Sequence, residues 1–106
     1  MASQPTSPLA IGQVIEITFP TFTPRITIRS ERELTVEIIA GDGVGFSDTV
    51  AYEAVTLRDD LVFLTFQEHI GSTIVHVLDL AAGKADTAVT SAKGGLTGPI
   101  NVMFDV

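Results

Sequence analysis

The sequence predicts an all-β protein, built as a small eight-stranded antiparallel up-and-down barrel, and three observations lead to that prediction. From Ile11 onward the apolar residues recur with a period of two, which is typical of strands. The periodic segments are rich in Val, Ile, Thr and Phe, and residues that favour turns separate them. Short strands at nearly even spacing are typical of β-sandwiches and barrels.

The first four predicted strands follow a segment of different composition. Residues 1–10 are rich in Ser, Pro, Thr and Ala and are predicted to be a mobile tail, so that residues 11–106 form a single domain. Alternation then marks four strands: GQVIEITF, RITIRS, ELTVEIIA and TVAYEAVTL. The glycine-rich segment Gly41–Asp48 lacks the spacing of a dinucleotide-binding loop, and we predict a flexible loop at the rim of the barrel.

The last four predicted strands are separated by clear turn signals. Their sequences are LVFLTFQE, STIVHVLDL, KADTAVTS and PINVMFDV. Turn residues at Asp59–Asp60, Gly71, Gly83 and Gly94–Pro99 bound them. An open sheet of this many strands would leave two unpaired edges, so closure into a barrel is favoured. The interior of an eight-stranded barrel is filled by side chains or holds one small ligand.

The hairpin around Gly71 indicates which residues share a face of the sheet. A three-residue loop ending in glycine suits a type I turn followed by a residue with positive φ, and it pairs Glu68 with Ser72. Counting outward, Leu64 then faces His76. Directly paired residues lie on the same side of the sheet.

One face of the predicted sheet therefore collects most of the large aliphatic residues, and we take it as the interior. The Gly71 hairpin gives it Val62, Leu64, Phe66, Glu68, Ile74, His76 and Leu78. A two-residue turn at Asp59–Asp60 adds Glu53, Val55 and Leu57. A three-residue loop ending at Gly83 adds Asp86, Ala88 and Thr90. A slip of one residue in any of these registers would reverse the corresponding assignment.

A carboxylate and an imidazole on an apolar interior face form the candidate site. Buried ionisable groups need a partner or shift their pKa, and such a pair can orient a ligand or transfer a proton. A simple hydrogen-bonded pair is the structural alternative. The predicted ligand-binding residues are Glu68, His76, Glu53, Val55, Val62, Leu64, Phe66, Ile74 and Leu78, with Glu68 and His76 as the candidates for catalysis.

Composition excludes several other classes of function. The net charge is −7, which disfavours binding to nucleic acid or to an anionic membrane surface. There is no cysteine, and neither the histidines nor the carboxylates have the spacing of a metal site, so we predict no metal and no cofactor. The start of the chain has no secretory signal pattern, which predicts a cytoplasmic protein. A homodimer covering the mouth of the barrel would help to close a small pocket.

The segment from about Gly45 to Thr90 resembles the MoaF-like proteins, a family of small calycin-like (lipocalin-like) barrels. The resemblance rests on an aromatic-x-Glu strand end, a turn with glycine, a Thr-Val-x-His strand and a following Asp. The corresponding residues are Phe66, Glu68, Gly71, Thr73, Ile74, His76 and Asp79. The resemblance implies a calycin-like barrel with a cavity. Phenolic acid decarboxylases are similar barrels with a catalytic Glu that corresponds to Glu68, but their paired tyrosines have no counterpart, because Tyr52 is the only tyrosine.

Three hypotheses about function remain open from the sequence. The first is a barrel that binds a small apolar or aromatic molecule, oriented by Glu68 and His76. The second is an enzyme that uses the same cavity for proton transfer, as an isomerase, cyclase or decarboxylase would. The third is a packed barrel that acts as a structural subunit. A cavity would argue against the third, and turnover that depends on Glu68 would distinguish the second from the first.

Overall fold

The computed structural model describes residues 8–90 and the backbone of residues 100–105. In these residues the protein is all-β, without helix, and the strands form an antiparallel sheet in which neighbours along the chain are neighbours in space. The strands are β1 (Val14–Glu16), β2 (Phe22–Ile28), β3 (Glu33–Gly41), β4 (Ser47–Arg58), β5 (Leu61–Gln67), β6 (Thr73–Asp79), β7 (Lys84–Thr90) and β8 (Ile100–Asp105). The prediction of an all-β, antiparallel protein is confirmed. The described part of the chain contains no helix that could span a membrane.

The sheet curls into a half-barrel around one apolar core. Buried and less buried residues alternate along β5 and β6, so alternate side chains point to the concave face. The buried residues of that face form a single cluster that includes side chains from β2 through β7. Ile26, Ile28, Leu34, Leu64 and Leu78 are its largest fully buried members.

Strand β4 changes neighbours halfway along its length. Its first part, 47–51, pairs with β3, and its second part, 52–58, pairs with β5. The β5–β6 hairpin therefore extends beside the first part of β4 without joining it in a ladder.

The predicted facing of β4 is wrong because a bulge reverses it. Asp59 and Asp60 do form a two-residue turn, with Arg58 paired to Leu61 and Asp60 at a φ of 60°. The register then shifts at Leu57, so that Thr56 pairs with Val62. One extra residue moves every side chain before it to the opposite face.

The predicted register of β7 is also wrong by one residue. The connection has four residues, because Lys84 pairs with Asp79 instead of Leu80. The Asp79 carboxylate accepts a hydrogen bond from the backbone N–H of Ala82, which stabilises this longer turn. Asp86 consequently lies exposed on the outer face, and Thr87 takes an inward position opposite His76.

Most of the tail predicted for residues 1–10 lies outside the described residues. Of the part that is described, Leu9 is buried in the core cluster with 2% of its surface exposed. Ala10 donates its backbone N–H to the side-chain carbonyl of Gln13. The packed domain therefore extends at least to Leu9, two residues before the predicted boundary.

Candidate functional site

The β5–β6 hairpin positions Glu68 as the sequence predicts. The backbone N–H of Glu68 donates to the carbonyl of Ser72 at 2.8 Å, and the N–H of Gly71 donates to the carbonyl of Glu68 at 2.8 Å. Gly71 has a φ of 99°, a conformation that favours glycine. The three-residue loop His69–Gly71 is thereby confirmed, and it keeps Glu68 on the inner face.

His76 is a buried, neutral imidazole in the wall of the interior. It pairs with Leu64 across β5 and exposes only 2% of its surface. Its Nδ1 lies 2.6 Å from the hydroxyl of Thr87, and its ring centroid lies 5.9 Å from that of Phe66. Burial lowers the pKa of His76 to about 4, so the ring is uncharged at neutral pH.

The second ring nitrogen of His76, Nε2, is left without a partner in the described structure. Among the described residues, every fully enclosed side-chain nitrogen or oxygen has a hydrogen-bond partner, so Nε2 is not fully enclosed. Since His76 lines the cavity, its small exposed surface is the part that the cavity can reach. When Nδ1–H donates to Thr87, Nε2 is a hydrogen-bond acceptor for a bound molecule.

Glu68 presents a half-buried carboxyl group to the same space. Burial raises its pKa above the usual range, and the negative charge of Asp48 raises it further. Within the described residues the carboxyl group makes no hydrogen bond. Glu68 and His76 line one cavity, but no hydrogen bond joins them in this structure, and the one described partner of His76 is Thr87.

Asp48 holds the tip of the hairpin in place. Its carboxylate accepts the backbone N–H of His69 at 2.7 Å and contacts the ring Nδ1 of the same residue at 2.7 Å. These contacts lower the pKa of Asp48, the backbone hydrogen bond having the largest effect. The pair connects the first part of β4 to the hairpin across the gap between them.

A cavity of about 800 Å³ lies between the N-terminal strands and the β5–β7 wall. Among the described residues it is lined by Phe19, Thr21, Phe22, Pro24, Val36, Ile38, Asp42, Gly43, Phe46, Phe66, Glu68, Ile70, Ile74, His76, Thr87 and Val89. Its rim includes the β1–β2, β3–β4 and β5–β6 connections, which an up-and-down sheet places at one end. Exposed rim residues such as Asp42 and Ile70 show that the cavity opens to solvent there.

The structure brings together some of the predicted site residues and separates others. Phe66, Glu68, Ile74 and His76 line this cavity. Val62, Leu64 and Leu78 are buried in the core and do not line it, although Leu78 borders a second cavity of about 270 Å³.

Glu53 and Val55 do not belong to the interior at all. Both are exposed on the outer face, and Val55 has 55% of its surface exposed. The bulge at Leu57 is the reason, since it reverses the facing of the strand that precedes it.

Sequence reasoning missed the aromatic wall opposite the Glu68–His76 side. Phe19, Phe22 and Phe46 line the cavity, and the rings of Phe19 and Phe22 stack with centroids 5.1 Å apart. Thr87, the partner of His76, was also missed because β7 was predicted one residue out of register. The glycine-rich loop, predicted at the rim of the barrel, was the available signal for part of this wall. Asp42, Gly43 and Phe46 of that loop do line the cavity.

Comparisons with known proteins agree with this architecture. The family model described as MoaF-like matches residues 11–101. The fold is also similar to the crystal structure of a "putative beta-lactamase" from Burkholderia vietnamiensis, with a TM-score of 0.79 and 26% sequence identity over 85% of this chain and 87% of that one. No curated protein sequence matches the chain.

Proposed function

We propose, starting from the fact that this chain belongs to the MoaF-like family, that it binds a small, largely apolar molecule carrying one hydrogen-bonding or ionisable group. The observation that carries the proposal is the cavity of about 800 Å³, whose mainly apolar lining includes Glu68 and His76. The Glu68 carboxyl and the His76 Nε2 have no hydrogen-bond partner among the described residues. Pockets for small ligands have typical volumes of about 300–1,000 Å³ and place a few polar groups in an apolar lining.

The apolar wall and the two polar groups have different tasks in this proposal. Burying apolar ligand surface contributes about 25 cal/mol per Å² to affinity, without much directional preference. Glu68 and His76 supply direction, because an analogue without the matching polar group leaves them desolvated and unpaired. Phe66, beside His76, adds aromatic surface to the apolar wall.

The proposal includes closure of the sheet into a calycin-like barrel. The second cavity supports this step, because its lining joins residues 13–17, around β1, to residues 78–85 of β6, β7 and their turn. The first strand therefore lies opposite the sixth and seventh across the interior. A sheet that curls this far is close to meeting its own edge.

Proton-transfer catalysis is the second candidate function, and one observation favours it. The raised pKa of Glu68 brings its titration nearer to neutral pH, while His76 stays uncharged. Two ionisable groups shifted in this way on one cavity wall suit an isomerase, cyclase or decarboxylase. We take only the fold from the Burkholderia protein, because this chain has no Ser-x-x-Lys sequence of the kind that serine beta-lactamases use.

A packed barrel acting only as a structural subunit is the weakest of the three hypotheses. Protein interiors are close-packed, with few voids larger than a water molecule. An open cavity of about 800 Å³ weighs against a filled interior.

A thermal-shift screen of small aromatic and aliphatic compounds tests the proposal. We expect ligands that stabilise the wild type to stabilise Glu68→Gln and His76→Asn less, because each substitution changes a group that orients the ligand. Glu53→Gln is the matched control, since it removes a carboxylate from the outer face at no cost to the cavity. Equal stabilisation of all four proteins would contradict the assigned roles, and compound turnover that disappears in Glu68→Gln would favour the enzyme.

A further inference from the structure

We infer that the ligand of this cavity is an apolar amine that binds as a cation, in preference to a carboxylic acid or a neutral alcohol of the same shape. This inference rests on the proposed function and names the chemical class of its ligand. Three features of the cavity carry it: the sign of the charges that line it, the aromatic rings around it, and the kind of hydrogen-bonding groups that it presents.

The charged residues of the lining are both acidic. Asp42 lies at the rim and Glu68 lies further in, and no Lys or Arg is among the described residues that line the cavity. Asp48 adds a third negative charge close enough to affect Glu68. A carboxylate ligand would bring another negative charge into this partly desolvated space, where like charges repel more strongly than in water.

The arginine within β2 and the one that directly follows this strand have other partners, outside the cavity lining. Arg25 forms an ion pair with Glu16 at 2.9 Å, and Arg29 donates to the hydroxyl of Thr35 at 3.0 Å. Neither residue lines the cavity. The net charge of −7 adds a general attraction for cations approaching the mouth.

Aromatic rings make up much of the apolar wall. Phe19, Phe22, Phe46 and Phe66 line the cavity, which is four of the six phenylalanines in the chain. The face of a phenyl ring carries partial negative charge and attracts an ammonium group within about 6 Å of its centre. A cavity that combines such rings with carboxylates favours a cation that also has apolar bulk.

The polar groups of the cavity suit a donor such as an ammonium group. The ionised Glu68 carboxylate accepts hydrogen bonds, and the Nε2 of His76 also accepts when Nδ1–H donates to Thr87. The buried His76 ring is neutral, so it does not repel a cation. In the free protein the carboxylate of Glu68 is disfavoured by burial and by Asp48, and the positive charge of a bound ammonium group offsets both effects.

Three compounds that differ only in their polar group test the inference: 3-phenylpropylamine, 3-phenylpropan-1-ol and 3-phenylpropanoic acid. Calorimetry at pH 7 and low salt measures their affinities, and the same series with a naphthyl ring covers a larger ligand. We expect the amine to bind about tenfold more tightly than the acid, with the alcohol between them. Glu68→Gln should remove most of the preference for the amine and leave the affinity for the alcohol within about twofold.

Glu53→Gln is the matched control, because it makes the same change in net charge on the outer face. It should leave the order of affinities unchanged. An equal loss in Glu53→Gln and Glu68→Gln would assign the preference to net charge and overturn the inference. Tightest binding of the acid or the alcohol would also overturn it and leave the proposed function standing, whereas no binding by any compound in either series would refute both.

Discussion

At the scale of single residues, His76 shows how burial selects a protonation state. Its ring is buried beside that of Phe66, and the one hydrogen bond that it makes in the described structure is to an uncharged hydroxyl. Burial takes the charged imidazole out of water, and no described residue forms an ion pair with it, so its pKa falls. The same environment keeps His76 from adding a positive charge to the cavity wall.

The titration of His76 makes a specific contribution to the pH dependence of stability. Its pKa is 6.5 when unperturbed and about 4 in the folded protein, so between these values the unfolded chain binds a proton that the folded protein does not. Stability from this group is therefore complete above pH 6.5 and is lost as the pH falls towards 4. The loss is on the order of 3 kcal/mol.

We expect this part of the acid sensitivity to disappear in His76→Asn, which keeps a side-chain polar group near Thr87. Urea unfolding of both proteins at about pH 7 and about pH 4.5 measures the free energy of unfolding on either side of the histidine titration. The difference between the two pH values should be smaller in the variant, because the carboxylates contribute equally to both proteins. An identical pH dependence would show that His76 titrates normally in the folded state.

Glu68 differs from His76 because it is only half-buried and has a charged neighbour. Asp48 is held by His69, so its negative charge is fixed in position beside the hairpin. That charge and the burial of Glu68 act in the same direction on its pKa. The result is a carboxyl group in the cavity that is more easily protonated than an exposed glutamate.

At the scale of strands and turns, Gly41 sets the distance between two connections at the mouth of the cavity. It ends β3 with a φ of 80°, and a Cβ placed there would lie 2.2 Å from the backbone oxygen of Thr21. The same oxygen accepts the N–H of Asp42 at 2.9 Å. Only glycine allows the β3 end to approach the β1–β2 connection this closely.

Gly41→Ala should therefore destabilise the protein much more than Gly45→Ala. Gly45 also has a positive φ, of 97°, but a Cβ at this position would have no neighbouring atom within 4 Å. Gly45→Ala should cost about 1 kcal/mol from its backbone conformation alone. Gly41→Ala adds a backbone clash and should cost about 3 kcal/mol or more, measured by chemical denaturation. Equal losses in the free energy of unfolding would mean that the backbone near Thr21 shifts easily to accommodate the new Cβ.

The turns also explain how much of the sheet the sequence could predict. The three-residue loop ending at Gly71 was predicted correctly, because only glycine suits the positive φ of the third position and the β-branched residue before it disfavours a two-residue turn. The bulge at Leu57 has no such residue, so the facing of Glu53 and Val55 could not be read from their spacing. At the β6–β7 turn, a hydrogen bond to the side chain of Asp79 decided the loop length, and sequence spacing alone does not reveal it.

The same reasoning accounts for the missed half of the candidate site. Glu68 and His76 were found because one hairpin fixes both. The facing of Phe19 and Phe22 could not be predicted from spacing, because a register shift between Thr23 and Pro24 interrupts the pairing of β2 with β3. Which wall these rings complete depends on the curvature of the whole sheet, which is a tertiary property.

At the scale of the whole molecule, the cavity is large for a chain of 106 residues. Small domains bury a limited share of their surface and have little stability in reserve. An unfilled apolar volume lowers that stability further, since the side chains around it lose contacts. Because keeping the volume open costs stability, its presence supports a binding role for the interior.

Val89→Phe distinguishes a roomy interior from a packed one. Val89 lines the cavity and packs against the core from β7, so a larger side chain there points into the open space. In a close-packed interior the extra volume would cost about 1–3 kcal/mol. We expect instead no loss in the midpoint of thermal unfolding, together with weaker binding of any compound that stabilises the wild type.

Val55→Phe makes the same substitution on the outer face and should leave binding unchanged. A strongly destabilised Val89→Phe protein would indicate that the cavity is filled in solution, whereas a stable variant with unaltered binding would place the ligand elsewhere on the molecule.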